Sequence, residues 1–211
     1  MRKSGHCFGG SMRIVPQPVD YGNPADPSYW TPERLKQTNH LLLGCGTENN
    51  KRISLTDGPK IWMNLITVDL NPDAKPDVLW DLDRIPLPFP ENCFDEIHAY
   101  EVLEHCGRQG DFRFFLQQFA DFWRILKPDG VFLATVPMWD SPWAWGDPGH
   151  TRVITKQSLV FLSQKEYANQ IGRTSMTDYR RWYQADFEVA GIQETEHQLQ
   201  FGLQAKTPDG N

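Results

Sequence analysis

No run of apolar residues in this 211-residue chain approaches the roughly 18 needed to cross a bilayer, so no transmembrane helix is expected. The start, Met1-Arg2-Lys3-Ser4-Gly5-His6, is basic but lacks the apolar stretch of a secretory signal. Cysteine is scarce: Cys7, Cys45, Cys93 and Cys106 are widely spaced and form no Cys-x-x-Cys pair. That pattern excludes a disulfide framework, predicts neither a structural zinc nor any other metal site, and suits the reducing cytoplasm. An excess of positive charge is lacking too. The formal net charge of −6 argues against nucleic acid as the main partner, because binding phosphates takes a basic surface. A chain of this length suits one domain with a substantial core.

Periodicity is missing from residues 1–38, which are rich in Pro, Gly and Asn and are expected to form an irregular arm. The exception is Thr31-Pro32-Glu33, a helix cap followed by proline at the first helical position, which predicts a short helix near 32–37. A domain is expected over 39–211. There, short apolar runs bounded by turn residues read as buried strands: His40 to Gly44, Leu65 to Asp69, Asp77 to Trp80 and Phe94 to Ala99. Phe112, Phe115, Leu116, Phe119, Phe122, Trp123 and Leu126 fall at helical spacing behind the capping residue Asp111. Lys127-Pro128-Asp129-Gly130 then reads as a turn and Val131 to Val136 as a fifth strand. A Trp-rich loop, a short helix over Thr155 to Leu162, and a hairpin of Phe187 to Glu194 with Leu199 to Lys206 complete the chain. Strands alternating with helices predict an α/β fold: a doubly wound, mostly parallel seven-stranded sheet with a C-terminal antiparallel hairpin.

In such a sheet, ligands bind at the carboxyl ends of the strands, where the strand order reverses. Gly44-Cys45-Gly46 follows the first strand, and glycines let a ligand approach the backbone. Asp69 ends the second strand, 25 residues after Gly44, a spacing that suits a carboxylate accepting both hydroxyls of a ribose. Asp81 lies beyond the third strand, placed to accept from an adenine amine, with the Leu82 N–H able to donate to a ring nitrogen. Taken singly, each has a plain reading: a tight turn, a solvated acid, a turn cap. Together they describe a nucleoside-binding crevice.

Here the chain resembles the class I (Rossmann-like) S-adenosylmethionine-dependent methyltransferases. Leu41-Leu42-Leu43-Gly44-Cys45-Gly46-Thr47 is similar to their glycine-rich first motif, and Pro86 to Ile97 to the stretch before their fourth strand. Glu101-Val102-Leu103-Glu104-His105 and Arg124-Ile125-Leu126-Lys127-Pro128-Asp129-Gly130 match the segments after the fourth strand and before the fifth. Asp147-Pro148-Gly149-His150-Thr151-Arg152 is similar to a segment of small-molecule members. The resemblance implies the methyltransferase fold and S-adenosylmethionine as cofactor. It assigns Gly44, Cys45, Gly46, Asp69, Leu70, Asp81, Leu82, Tyr100 and Glu101 to cofactor binding, with Cys45 as a small residue packed beside the cofactor. Two positions depart from the pattern: Leu42 stands where an acid is usual, and Glu48 where a third glycine is usual. Residues 47–64 also lack helical periodicity and contain Gly58-Pro59, so the first crossover helix is expected to be short or missing.

His105 and His150 are the candidates for a general base, because imidazole titrates near neutrality. Glu104 is expected to cap or orient the next helix. Trp139, Trp143 and Trp145 are candidates to line an acceptor pocket, while Tyr179, Trp182 and Tyr183 read as packing residues. Tyr100-Glu101-Val102-Leu103 is not the Asn/Asp-Pro-Pro-aromatic signature of members that methylate nucleic-acid amines. A small-molecule acceptor is therefore expected. Two rivals remain. A nicotinamide oxidoreductase would want glycine three positions after Gly46, where Asn49 stands, with a helix following. A non-catalytic methyltransferase-fold binding or assembly module would tolerate Leu42 and Glu48 and could use exposed tryptophans as an interface.

Overall fold

The computed structural model describes residues 23–54 and 60–207. The basic start, Cys7, much of the arm and the Gly58-Pro59 pair lie outside those residues. Among the described residues, no helix is long and apolar enough to cross a membrane.

Seven strands form one sheet: β1 (His40–Leu43), β2 (Leu65–Asp69), β3 (Val78–Leu79), β4 (Phe94–Tyr100), β5 (Leu126–Pro137), β6 (Phe187–Glu194) and β7 (Gln198–Ala205). Their order is β3-β2-β1-β4-β5-β7-β6. β3, β2, β1, β4 and β5 run parallel, and β7 lies antiparallel between β5 and β6. Leu42 pairs with Thr67 on one side and His98 on the other, so the order reverses at β1 and opens a crevice at its carboxyl end.

The arm contributes a single-turn 3-10 helix over Pro27–Tyr29 and the helix α1 (Pro32–Leu35), started by the Thr31 side chain accepting from the Arg34 N–H. The long helix α2 (Phe112–Ile125) begins at Asp111, whose side chain accepts from the Phe114 N–H. It ends where Leu126 turns extended, ahead of Pro128, which has no N–H to continue the ladder. The turn expected at Lys127–Gly130 proves to be a bulge inside β5. Phe94 pairs with Leu126 and Glu96 with Val131, and Asp129 takes a left-handed φ of 61° in the extra loop. The Trp-rich segment is a short helix, α3 (Pro142–Gly146), rather than a loop, with Ser141 capping it and Pro142 in its first turn. Thr155 and Ser158 form a capping box at α4 (Lys156–Leu159), which continues as a 3-10 turn. The sequence reading missed α5 (Gln164–Gln170), capped by Ser163.

One face of the sheet is apolar. Leu41, Leu43, Ile66, Val68, Ile97, Ala99, Phe132, Phe201 and Leu203 meet Phe119, Phe122 and Ile125 of α2 in the main core. Phe122 stacks on Phe132 with ring centroids 4.8 Å apart, and Trp30 packs edge-on against Phe94 at 5.2 Å. Tyr183 is fully buried there, and Tyr179 stacks on Phe112. The other face presents His40, Leu42, Glu96, His98 and Tyr100, the alternate residues of β1 and β4. Among the described residues of 44–64 no helix covers it. An irregular segment does so instead. Lys51 forms an ion pair with Glu96, and Trp62 packs edge-on to His98 at 4.8 Å. The Arg52 and Ile53 N–H groups donate to the Tyr100 hydroxyl at 3.1 and 3.3 Å.

Candidate functional site

The carboxyl ends of β1, β2 and β4 and the turn after β3 enclose a cleft of about 450 Å³, within the range of small-ligand and cofactor sites. Gly44, Gly46, Asp69, Leu70, Asp81, Leu82 and Glu101 line it, together with Asp83, Val102, His105 and Cys106. Gly44 has a φ of +59°, and a Cβ there would sit 2.3 Å from Val102 Cγ2, so only glycine fits. Gly46, at φ +56°, has open space where a side chain would be.

Asp69 is held from both sides. Its Oδ2 accepts the Gly46 N–H at 2.8 Å and its Oδ1 the Asn71 N–H at 2.8 Å, which leaves lone pairs on each oxygen. Asp81 accepts the Asp83 N–H at 2.9 Å through Oδ1, so it caps a turn and borders the cleft at once. Asp83 in turn accepts the Gly107 N–H at 2.9 Å. Leu70 stands 66% exposed at the cleft wall. Glu101 sits at the end of β4 with a left-handed φ of 52°, and Gln198 donates to its carboxylate at 2.8 Å. Four carboxylates therefore surround the cleft, a field that favours a cationic ligand. Glu48 is exposed to water rather than turned into the site.

Three groups expected at the site stand apart from the cleft lining. Cys45 is absent from the cleft lining: its buried side chain packs with Leu42 and Tyr100 on the polar face, and burial raises its thiol pKa. Tyr100 likewise turns away, its hydroxyl occupied by Arg52, Ile53 and the His98 ring. Trp139, Trp143 and Trp145 do not reach the cleft either. Trp139 borders a separate cavity of about 180 Å³ with Thr155, Lys156, Glu194 and Leu199. Trp143 and Trp145 are 67% and 69% exposed on α3, whose single turn directs them outward.

The two candidate histidines do come together. The rings of His105 and His150 meet edge-on with centroids 4.6 Å apart, although 45 positions separate them in the sequence. His105 Nδ1 lies 3.1 Å from the Gly149 carbonyl, and His150 Nε2 lies 3.8 Å from an Asp147 carboxylate oxygen. Glu104 does not cap a helix as expected. It is 3% exposed, its Oε2 has no hydrogen-bond partner, and burial lifts its pKa to about 8. Asp83, Val102 and Cys106 were not singled out from the sequence. Only the folded turn over Leu103–His105 brings the latter two to the cleft.

Residues 41–134, running from β1 into β5, match the family described as "Methyltransferase domain". The match spans less than half of the chain and takes in the Gly44 turn and the Glu101–His105 segment on which the resemblance to the class I S-adenosylmethionine-dependent family rests. The sheet order and the terminal antiparallel hairpin are the seven-stranded, mostly parallel arrangement expected from the sequence. No curated protein matches the chain.

Solved structures similar to it include a SAM-dependent methyltransferase from Archaeoglobus fulgidus, at 14% identity and a TM-score of 0.48, covering 82% of this chain and 88% of that one. A variant of the 16S rRNA (adenine(1408)-N(1))-methyltransferase from Catenulisporales acidiphilia shares 13% identity at a TM-score of 0.49, covering 88% and 93%. The 1,6-didemethyltoxoflavin-N1-methyltransferase of Burkholderia thailandensis shares 14% at 0.45, covering 81% and 72%.

Proposed function

We propose that the protein is a methyltransferase that binds S-adenosylmethionine in the β1–β2–β4 cleft and methylates a small-molecule acceptor. The observation that carries this reading is the convergence of Gly44, Gly46, Asp69, Asp81 and Glu101 on one cleft at the point where the strand order reverses. The fit is residue by residue. Gly46 leaves open space beside the backbone for the cofactor's methionine portion, and Gly44 lets Val102 pack against the turn that holds it. Asp69, already oriented by two N–H groups, accepts the ribose hydroxyls on its remaining lone pairs. Asp81 offers its second oxygen to the adenine amine, the Leu82 N–H donates to the ring, and Leu70 covers the base's apolar face. Glu101, held by Gln198, faces the cationic end.

When bound, S-adenosylmethionine supplies an electrophilic methyl group on its sulfonium. The protein's part is to hold the acceptor atom in line with that methyl, and positioning of this kind is worth roughly 7–11 kcal/mol in favourable cases. His105, which lines the cleft, and His150 beside it are placed to orient the acceptor or receive its proton. The acidic cleft and the net charge of −6 favour a small acceptor over a polyanion. The free, buried thiols of Cys45, Cys93 and Cys106 suit the cytoplasm.

The test is calorimetric titration with S-adenosylmethionine and S-adenosylhomocysteine, followed by an acceptor screen. Micromolar binding of both is expected, with most affinity lost in Asp69→Ala. No binding of either by a folded protein would overturn the reading and favour a non-catalytic module.

A further inference from the structure

Glu104, His105 and His150 each bring one metal-ligating atom to a common point, all within 4.8 Å of one another. Two of the three side chains carry donor atoms with nothing to bind. Glu104 Oε2 and His150 Nδ1 are both buried and both lack a hydrogen-bond partner. Leaving such atoms unsatisfied costs stability, and a native structure that does so needs a reason.

The backbone around them is fixed. The Glu104 carbonyl accepts the Thr151 N–H at 2.8 Å and the Thr151 hydroxyl at 3.2 Å, and the Leu103 carbonyl accepts Arg152 Nε at 2.8 Å. These bonds join the 3-10 turn that carries Glu104 and His105 to the segment that carries His150. Each histidine also has one ring nitrogen directed at an oxygen, His105 Nδ1 at the Gly149 carbonyl and His150 Nε2 at Asp147. The 3.1 Å bond from His105 Nδ1 to the Gly149 carbonyl fixes that ring's tautomer and leaves Nε2 a free lone pair, as outer oxygens do for metal-binding imidazoles. The His150–Asp147 distance of 3.8 Å is too long for a hydrogen bond, and His150 Nδ1 has no partner.

We infer that Glu104, His105 and His150 form a binding site for a divalent first-row transition ion. Two imidazoles and a carboxylate, with no thiolate among them, are the donor set of open zinc and non-haem iron sites, which keep further positions for exogenous ligands. Metal–ligand bonds of about 2.0–2.2 Å bring tetrahedral donors to roughly 3.4 Å of one another, so side-chain rotation must close the triad by up to about 1.4 Å. Because His105 also lines the cleft, the open positions lie toward it. Resting on the methyltransferase reading for the acceptor's place, the acceptor is then one that offers an oxygen ligand, a hydroxyl or a carboxylate. With the ion bound, His105 and His150 serve as its ligands, and they are free to receive the acceptor's proton only when it is absent.

The experiment uses the full chain without a histidine tag, stripped with a chelator. Zn²⁺ is titrated calorimetrically and Co²⁺ by visible absorption, with no cofactor present. One equivalent is expected to bind, with a cobalt d–d band. His150→Ala and Glu104→Gln, shown folded by circular dichroism, are each expected to weaken it by more than about tenfold. If Glu104→Gln does not fold, His150→Ala and His105→Ala carry the test. Binding that is absent, or unchanged in folded variants, would overturn the site. S-adenosylhomocysteine binding by the same metal-free protein tells that failure apart from failure of the cofactor reading.

Discussion

The two faces of the sheet solve one problem by different physics. On the face toward α2, rings and branched chains exclude water, and stability follows area and packing. On the opposite face the described residues of 44–64, which cover it, contain no helix to supply an apolar lid. There Lys51, itself only 5% exposed, meets Glu96, which also accepts from His98 at 2.8 Å. Tyr100 collects the Arg52 and Ile53 N–H groups. The lesson is that an irregular segment can cover a sheet if its backbone donors and its charge have buried partners waiting on the strands. The apolar face tolerates approximation. The polar face depends on particular pairs.

The largest effect is expected on the apolar side. Phe122→Ala removes the ring stacked on Phe132 and should cost about 3–5 kcal/mol in chemical denaturation, with no change in how stability varies with pH. Glu96→Gln removes the anion that Lys51 and His98 share and should cost about 1.5–3 kcal/mol. An unchanged midpoint for that variant would mean that the polar network is decoration.

Acid separates the faces more sharply. Burial drives the His40 pKa down to about 4 from an ordinary 6.5, and burial also lowers His98. The unfolded chain therefore binds more protons than the folded one in this range. Stability is full above pH 6.5 and declines as pH falls to about 4, by on the order of 1–3 kcal/mol. Burial pushes Glu96 up, but hydrogen bonds from His98 and Lys51 outweigh it and hold the carboxyl at about 2. Its contribution is present above about pH 4.5 and is lost as pH falls through about 2. Melting curves of the parent and of His40→Gln from pH 7 to 4 should differ in slope, the variant being the flatter. Equal slopes would reassign the acid sensitivity to other groups.

Smaller effects follow. Asp111→Ala should cost about 1 kcal/mol by uncapping α2. Trp143→Ala, on an exposed turn, should stay within about 0.5 kcal/mol in the same denaturation assay.

What could be read ahead of the structure divides along the same line. The strands, α2 with its Asp111 cap, and the placing of Gly44, Asp69 and Asp81 at strand ends follow from local periodicity and turn chemistry, which act within a few residues. His40, Glu96 and His98 were hidden inside runs that read as buried strand, because alternation tells which face a residue takes but not what lies above it. The partners come from Lys51 and Trp62, in a segment with no period of its own. For the same reason the side chains of Cys45 and Tyr100, expected beside the cofactor, lie with that polar face and off the cleft lining. Glu104 meets His150 across 46 positions of sequence, through a loop whose course no local rule specifies.

The bond from the Gly46 amide to Asp69 joins the tips of β1 and β2 across the mouth of the cleft. Whatever engages that carboxylate draws electron density from the oxygen the amide donates to. The Gly46 amide proton is thus a built-in reporter: its chemical shift in a magnetic-resonance spectrum registers occupancy at Asp69 without a label, a substrate or a turnover.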